Sequence, residues 1–228
     1  VIRINLTGKL PVGVYAKDVI LYVIGSVKAD FGVYKAVEFT GPVVKELSIS
    51  ERMALCNMST EMGCKAAYIQ PDEVTFAYLK EHGITDYTVY ETDPDYIYDA
   101  DLTYDVKQLT PQVAVPFSVD NVFPIVNEEG IPVNQAYLGS CTGGRTPDFA
   151  IAAKILKGKH IAEGTRMILV PASKKVLEEC MEKGYIKTLL EAGATLTAPG
   201  CAACLGIHQG LLAEGEACIS STNRNFPG

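Results

Sequence analysis

Strand-like and helix-like segments alternate along the second half of this chain, and this alternation limits the fold more than any other feature of the sequence. The predicted segments are strand 135–138, helix 146–156, strand 167–171, helices 173–183 and 186–192, and strand 195–198. Such alternation is typical of a mostly parallel sheet that is covered by helices. We therefore expect an α/β fold class.

The first half predicts a second unit of the same class. Residues 1–6 alternate apolar and polar side chains as a half-buried strand does, and residues 16–24 repeat apolar side chains at helical spacing. Further segments are expected as strands 34–39, 43–47 and 66–69 and as helices 52–62 and 72–81. A proline-bearing extended stretch follows them. We therefore expect two domains, residues 1–112 and residues 113–228.

Composition and charge exclude several classes of protein. The chain has 20 Lys and Arg against 27 Asp and Glu, a net charge of −7, whereas a non-specific nucleic-acid binder is normally basic. No apolar run approaches the roughly 18 residues of a membrane span. Neither nucleic acid nor a membrane is therefore expected as a partner. Seven cysteines without a secretion leader disfavour a disulfide framework and favour a cytoplasmic location.

Two cysteine-bearing loops follow predicted strands of the second half, where parallel sheets gather their ligands. The first is Gly-Ser-Cys-Thr-Gly-Gly-Arg at 139–145, and the second is Gly-Cys-Ala-Ala-Cys-Leu-Gly at 200–206. Alone, the first loop fits a phosphate cradle, a reactive or metal-binding cysteine, or a tight turn. The C-x-x-C of the second fits a redox pair, half a zinc site or a cluster site.

Three sulfurs converge if both loops lie at one edge of the sheet, and they are those of Cys141, Cys201 and Cys204. Three thiolates without an obvious fourth partner suit a cubane iron–sulfur cluster that leaves one iron open to a substrate oxygen. The other four cysteines are expected as small core residues. These are Cys56, Cys64, Cys180 and Cys218.

Two polar segments offer further candidates. Arg224 fits a bidentate clamp for a substrate carboxylate, and a solvated turn is the alternative. Asn57 and Glu61 are four residues apart on a predicted helix and so share a face of it. Glu61 suits proton transfer beside a cluster, and an ordinary surface glutamate is the alternative.

Four motifs in one order carry a resemblance to the aconitase superfamily. They are Cys-Asn-Met-Ser-Thr-Glu-Met-Gly at 56–63, the two cysteine loops, and Ser-Thr-Asn-Arg-Asn-Phe at 221–226. Within the superfamily, the chain resembles the large subunits of the 3-isopropylmalate dehydratase and homoaconitase type. The resemblance covers essentially all 228 residues. It implies two aconitase-like three-layer α/β/α domains, the second and third of a large subunit.

The resemblance also implies a cofactor. Cys141, Cys201 and Cys204 are expected to hold a [4Fe–4S] cluster whose fourth iron has no protein ligand. Asn57 and Asn223 are expected to form hydrogen bonds around that cluster.

The same resemblance implies an activity and partners. Glu61 is expected to contact the iron-bound water or hydroxyl, and Arg224 is expected to bind a substrate carboxylate. The expected enzyme is a hydro-lyase that interconverts 2- and 3-isopropylmalate by dehydration and rehydration in leucine biosynthesis. Its expected partners are an anionic malate-type substrate and a separate small, swivelling subunit. The alternatives are homoaconitase or another 2-substituted-malate hydro-lyase, a non-catalytic module of this fold, and a zinc site on the same cysteines.

Two departures from the family pattern affect these expectations. Gly143 stands where the family usually has asparagine, and we expect weaker support of the cluster loop as a result. No segment matches the family's N-terminal domain, and the family's arginine-bearing continuation is absent after Gly228. We therefore expect a fragment of a large subunit that shows no measurable turnover alone.

Overall fold

A computed structural model describes residues 1–226 of the chain. The chain folds as two compact units. The first contains Val1–Val115 and Val119–Asn127, and the second contains Pro116–Ser118 and the described part of Glu128–Gly228. The domain boundary between residues 112 and 113 stays a prediction, and that position coincides with the start of a short hairpin.

The first unit is built on a parallel sheet with helices packed against it. Its elements are β1 (Ile2–Thr7), α1 (Ala16–Val27), β2 (Ala36–Thr40), α2 (Pro42–Glu46), α3 (Ile49–Met58), β3 (Ala66–Tyr68), α4 (Glu73–Glu81), β4 (Ala100–Asp105), β5 (Gln112–Ala114) and β6 (Val122–Pro124). The strand order in the sheet is β3-β2-β1-β4, and all neighbours are parallel. Strands β5 and β6 form a separate antiparallel hairpin.

The alternation along β1 determines which face of this sheet enters the core. Ile2, Ile4 and Leu6 are completely buried, while the residues between them are partly exposed. They pack with the apolar side of α1 and with Phe39 of β2. Each such side chain contributes about 1.5–3 kcal/mol on burial. The predicted strand over 1–6 and the predicted helix over 16–24 are therefore confirmed, with small shifts of their ends.

One predicted strand is wrong, because residues 43–47 largely belong to helix α2. Pro42 occupies the first turn of this helix, where its missing N–H removes no hydrogen bond and its fixed φ favours the helix. Gly41 precedes it with a φ of +103°, a value that suits glycine. Val43 and Val44 are buried. Adjacent valines are typical of strands, but in this helix the same two side chains reflect burial in the core.

Arg52 joins the start of α4 to α3 through a buried guanidinium. Its side chain is 5% exposed and contacts both carboxylate oxygens of Asp72, at 2.6 and 2.7 Å. It also donates to the backbone oxygens of Leu47 and Lys45. The carboxylate of Asp72 caps α4 as well, by accepting from the backbone N–H of Val74. This pairing holds the pKa of Asp72 below its usual range.

We expect Asp72→Asn to lower the free energy of unfolding by about 2 kcal/mol at pH 7, because the amide keeps the helix cap but leaves a buried guanidinium without its carboxylate. A lowered pKa stabilises the fold above the carboxyl's ordinary pKa and loses that effect as pH falls through the folded value. The difference between wild type and variant should therefore shrink below about pH 4. Urea unfolding across pH measures it. Glu178→Gln, which removes an exposed pair with Lys174, should cost less than about 0.5 kcal/mol.

The second unit is also built on a parallel sheet. Its elements are β7 (Gln135–Gly139), α5 (Ser140–Gly143), α6 (Thr146–Leu156), β8 (Arg166–Val170), α7 (Lys174–Glu182), α8 (Tyr185–Glu191), β9 (Thr195–Leu196) and β10 (Cys218–Ser220). The strand order is β10-β7-β8-β9, with all neighbours parallel. Phe149, Leu169 and Leu189 form the centre of its largest core cluster. The predicted α/β class is confirmed. None of the helices in residues 1–226 has the length and apolar character to cross a membrane.

The four cysteines expected in the core differ in burial. Cys64 and Cys180 are buried, and Cys56 and Cys218 are only half-buried. Desolvation raises the pKa of Cys56 and of Cys180 to about 11. Burial therefore favours the protonated thiol at both positions, which makes them weaker nucleophiles than an exposed cysteine.

Candidate functional site

The carboxyl-end edge of the second sheet carries the motifs that the sequence singles out. Strand β7 ends at Gly139 and leads into α5, which contains Cys141. Strand β10 ends at Ser220 and leads into the segment 221–226. The C-x-x-C loop follows β9. Because all strands of this sheet are parallel, in the order β10-β7-β8-β9, the two cysteine loops and the polar C-terminal segment start at the same edge. The Cys141 loop and the C-terminal segment start on neighbouring strands, and β8 lies between β7 and the strand that precedes the C-x-x-C loop.

Two glycines let the Cys141 loop approach other backbone segments closely. A Cβ atom at Gly143 would lie 2.0 Å from the carbonyl oxygen of Ser221, and one at Gly144 would lie 2.5 Å from that of Val170. Neither distance is possible for real atoms without movement of the backbone. Gly143 therefore permits the contact between this loop and residue 221, and an asparagine would not fit in this arrangement.

The loop that contains the C-x-x-C motif forms one short turn. Ala202–Leu205 is a 3₁₀ helix, and the backbone N–H of Cys204 donates to the carbonyl of Cys201 at 3.1 Å. Cys201 is exposed and Cys204 is buried. Ala202 has a φ of +45°, and Ser140, beside Cys141, has a φ of +67°. Left-handed backbone at non-glycine residues is strained, and such strain concentrates at functional sites.

The C-terminal segment lies against the C-x-x-C loop. Asn223 is buried, and its side-chain oxygen accepts from the thiol of Cys204 at 3.6 Å. The side-chain amide of Asn225 donates to the carbonyl of Ser118 at 3.1 Å. Arg224 is exposed, with its guanidinium carbon 5.8 Å from the ring centre of Phe226. The structure therefore brings Asn223 next to one predicted ligand and places Arg224 at the surface.

Tyr137 and Ser221 belong to this site, and sequence reasoning missed both. The hydroxyl of Tyr137, on β7, donates to the carbonyl of Cys201 at 2.9 Å. Burial raises the pKa of Tyr137, so the hydroxyl keeps its proton at neutral pH. The hydroxyl of Ser221 donates to the carbonyl of Gly143 at 2.8 Å and accepts from the N–H of Gly139 at 3.0 Å. Tyr137 lies in a predicted strand with no motif to mark it, and Ser221 begins the motif at 221–226 without a role assigned to it.

Asn57 and Glu61 lie in the first unit, and the helix predicted around them changes type between them. The α-helix ends at Met58, and a 3₁₀ helix follows over Ser59–Met62. The hydroxyl of Ser59 donates to the carbonyl of Cys56 at 2.6 Å, and that of Thr60 donates to the carbonyl of Asn57 at 2.9 Å. These bonds tighten the turn. The prediction that Asn57 and Glu61 share one face assumes a continuous α-helix. The change to a 3₁₀ helix, which has three residues per turn, removes the basis of that prediction.

The predicted ligands fit an iron–sulfur cluster in their chemistry. All three cysteines are outside any disulfide, and sulfur-only donor sets serve iron–sulfur clusters and structural zinc. The buried hydroxyl oxygen of Ser140, next to Cys141, has no hydrogen-bond partner in the described part of the chain. Within residues 1–226, no three His, Cys, Asp or Glu side chains form a group that could hold a metal ion. Convergence of the three sulfurs therefore stays a prediction.

Comparison with known proteins places these features in one family. The model of the aconitase family (aconitate hydratase) matches residues 1–129 and 126–228. The chain is 49% identical over 226 residues to 3-isopropylmalate dehydratase large subunit 1 of Methanopyrus kandleri, a match that covers 99% of this chain and 54% of that protein. It is 46% identical to a probable methanogen homoaconitase large subunit of Methanosarcina mazei, over 99% of this chain and 57% of that protein.

A third relative and a solved structure extend the comparison. The 2,3-dimethylmalate dehydratase large subunit of Eubacterium barkeri is 44% identical over the whole of this chain and 54% of that protein. The crystal structure of aconitase X from Thermococcus kodakaraensis, in its holo form, is similar in fold with a TM-score of 0.50 and 14% identity, over 98% of this chain and 48% of that one. The chain spans about half the length of the curated relatives it matches.

Proposed function

Because the chain belongs to the aconitase family, we propose that it is part of the large subunit of a hydro-lyase that interconverts 2- and 3-isopropylmalate by dehydration and rehydration. The observation that carries the proposal is the shared edge of the second sheet, from which two cysteine loops and the Asn223–Arg224 segment begin. The names of the relatives support a 2-substituted malate as substrate. Homoaconitase activity is the second candidate, which the relative from Methanosarcina mazei favours.

Cys141, Cys201 and Cys204 would hold a [4Fe–4S] cluster in this proposal. When bound, a cluster with one iron lacking a protein ligand supplies a Lewis acid for the removal and return of a hydroxyl group. Because metal binding organises ligands that are not fully preassembled, the two loops are expected to order around it. The side-chain amide of Asn223 lies next to the sulfur of Cys204 and would donate its N–H to that sulfur once it is a thiolate ligand, as groups that tune metal ligands do.

Arg224 is the residue that we assign to the substrate carboxylate. The chain carries a net charge of −7, so an anionic substrate needs a local cation. A guanidinium matches a carboxylate with two parallel hydrogen bonds, and the exposure of Arg224 keeps it accessible. The roles predicted for Asn57 and Glu61 in the first unit, hydrogen bonding around the cluster and contact with its bound water, stay predictions.

The proposal includes a separate small subunit as partner and a cytoplasmic location. The relatives are named as large subunits, which supports a second chain. All seven cysteines are outside disulfides, which suits a reducing compartment.

Changing Arg224 to Lys tests the substrate site. We expect 2-isopropylmalate to bind the cluster-loaded chain about 10- to 100-fold more weakly, since an ammonium keeps the charge but loses the paired hydrogen bonds. Isothermal titration calorimetry measures the affinity, with homocitrate as the second ligand to separate the two candidate functions. Arg3→Lys, at an exposed arginine paired with Asp101 in the first unit, is the matched control. Equal affinities of the Arg224 variant and wild type would contradict the assignment.

A further inference from the structure

We infer that Tyr137 and Ser221 are positioning residues that hold the two cysteine loops on strand β7. The inference rests on the proposed function, because it assumes that the loops carry cluster ligands. The two hydroxyls would then restrict how far apart those ligands can lie. Each acts through a backbone carbonyl of a loop that carries a predicted ligand.

Tyr137 ties the C-x-x-C loop to the sheet. Its side chain is 4% exposed, and its hydroxyl donates to the carbonyl oxygen of Cys201 at 2.9 Å. That carbonyl also accepts the backbone N–H of Cys204 at 3.1 Å. A single acceptor therefore links the strand to both cysteines of the motif. Without the hydroxyl, the turn keeps its own hydrogen bond and loses its attachment to β7.

Ser221 ties the Cys141 loop and the C-terminal segment to the same strand. Its backbone N–H donates to the carbonyl of Tyr137 at 3.0 Å. Its hydroxyl accepts from Gly139 at 3.0 Å and donates to the carbonyl of Gly143 at 2.8 Å. This hydroxyl therefore bonds to both ends of α5, at Gly139 just before the helix and at Gly143, its last residue. Cys141 lies between these two positions. Two residues further along the chain, Asn223 contacts the thiol of Cys204.

Strand β7 is thus the common attachment of both predicted ligand loops. It is an inner strand of the sheet, so its backbone is fixed by pairing on both sides. A ligand loop attached by one hydroxyl to a rigid strand has fewer conformations when the metal is absent, so it loses less conformational freedom when both loops order around the metal. Substitutions of groups that orient metal ligands typically cost 10- to 100-fold in affinity.

Retention of a reconstituted cluster measures the positioning effect. The 228-residue chain is loaded anaerobically with sulfide and a mixture of ferrous and ferric iron, and is then exposed to an iron chelator. We expect Tyr137→Phe and Ser221→Ala to lose bound iron and visible absorbance about 10-fold faster than wild type. Circular dichroism and thermal unfolding should show that both variants remain folded.

Thiol reactivity of the metal-free chain gives a second readout, which does not need the cluster. Alkylation mapped by mass spectrometry should be faster at Cys201 in Tyr137→Phe and faster at Cys141 in Ser221→Ala, because each variant releases only its own loop. Both cysteines are exposed, so the reagent reaches them in wild type as well, and a loop released from the strand allows its thiol more of the orientations in which it reacts. Acceleration at both cysteines in both variants, or at neither, would overturn the inference.

Two control variants remove comparable hydrogen bonds away from the cysteines. Tyr104→Phe removes a hydroxyl that donates to Ser26 at 3.2 Å in the first unit. Ser173→Ala removes the side-chain cap that accepts from Val176 at the start of α7. Both should match wild type. If all four variants retain the cluster equally, the positioning roles are wrong and the proposed function stands. If wild type takes up no iron and sulfide, the proposed function is wrong, and the mapped thiol reactivity still decides the positioning roles.

Discussion

Replacing Cys204 with serine is expected to abolish iron–sulfur loading of the chain, and Cys141→Ser and Cys201→Ser are expected to do the same. A serine hydroxyl stays protonated at neutral pH and does not replace a thiolate ligand of iron. Cys204 is buried against Asn223, so no other sulfur is expected to take its place. Visible absorbance together with iron and acid-labile sulfide content measures the loss.

Cys180→Ser is the matched control for the ligand variants. Cys180 is fully buried in the core of the same unit, and its thiol has a raised pKa. The serine variant should load as wild type does, although it is expected to cost about 1–3 kcal/mol of stability through a buried hydroxyl. Loss of loading in Cys180→Ser to the same extent as in Cys204→Ser would contradict the ligand assignment.

Changing Gly143 to Ala is expected to destabilise the second unit by about 3 kcal/mol, through overpacking against the Ser221 backbone. The added Cβ would lie 2.0 Å from the carbonyl oxygen of Ser221, so the segment that follows β10 has to move away. We also expect this variant to load less cluster, since the hydroxyl of Ser221 bonds to the carbonyl of Gly143. Urea unfolding and iron content measure the two effects.

Gly200→Ala is the control for this substitution. It makes the same chemical change beside the other cysteine loop, where a Cβ would meet no atom within 4 Å. Its effect on the free energy of unfolding should stay within about 0.5 kcal/mol. If Gly143→Ala were as mild as Gly200→Ala, the close approach of residues 143 and 221 would not exist in solution.

Most of the fold was predictable because its signals are local. The alternation over residues 1–6 and the helical spacing over 16–24 depend on neighbours in sequence, and both elements are present. The prediction of a strand at 43–47 is wrong because two adjacent valines suit a buried helix as well as a strand, and Pro42 lies at the start of that helix. The change of helix type after Met58 depends on the hydroxyls of Ser59 and Thr60, which bond to carbonyls three residues earlier.

The site was predictable only where a residue type carries its own chemistry. Cysteines in glycine-rich loops and an arginine in a polar segment stand out in a sequence, and Asn223 came from the family resemblance. Tyr137 carries no such signal, and Ser221 begins a motif without a chemistry of its own to mark it. Their roles come from hydrogen bonds to residues 64 to 82 positions away in the sequence. The pairing of β10 with β7 also brings the backbone of Ser221 against Gly143, where it leaves no room for a side chain.

The central claim is that this chain holds an iron–sulfur cluster on Cys141, Cys201 and Cys204. Its most direct test is anaerobic reconstitution of the wild-type chain with iron, sulfide and zinc all present, followed by elemental and sulfide analysis. We predict about four iron and four sulfide per chain, as a [4Fe–4S] cluster requires, and none in the triple serine variant. Zinc without acid-labile sulfide, or equal iron in the wild-type and triple-variant chains, would contradict the claim.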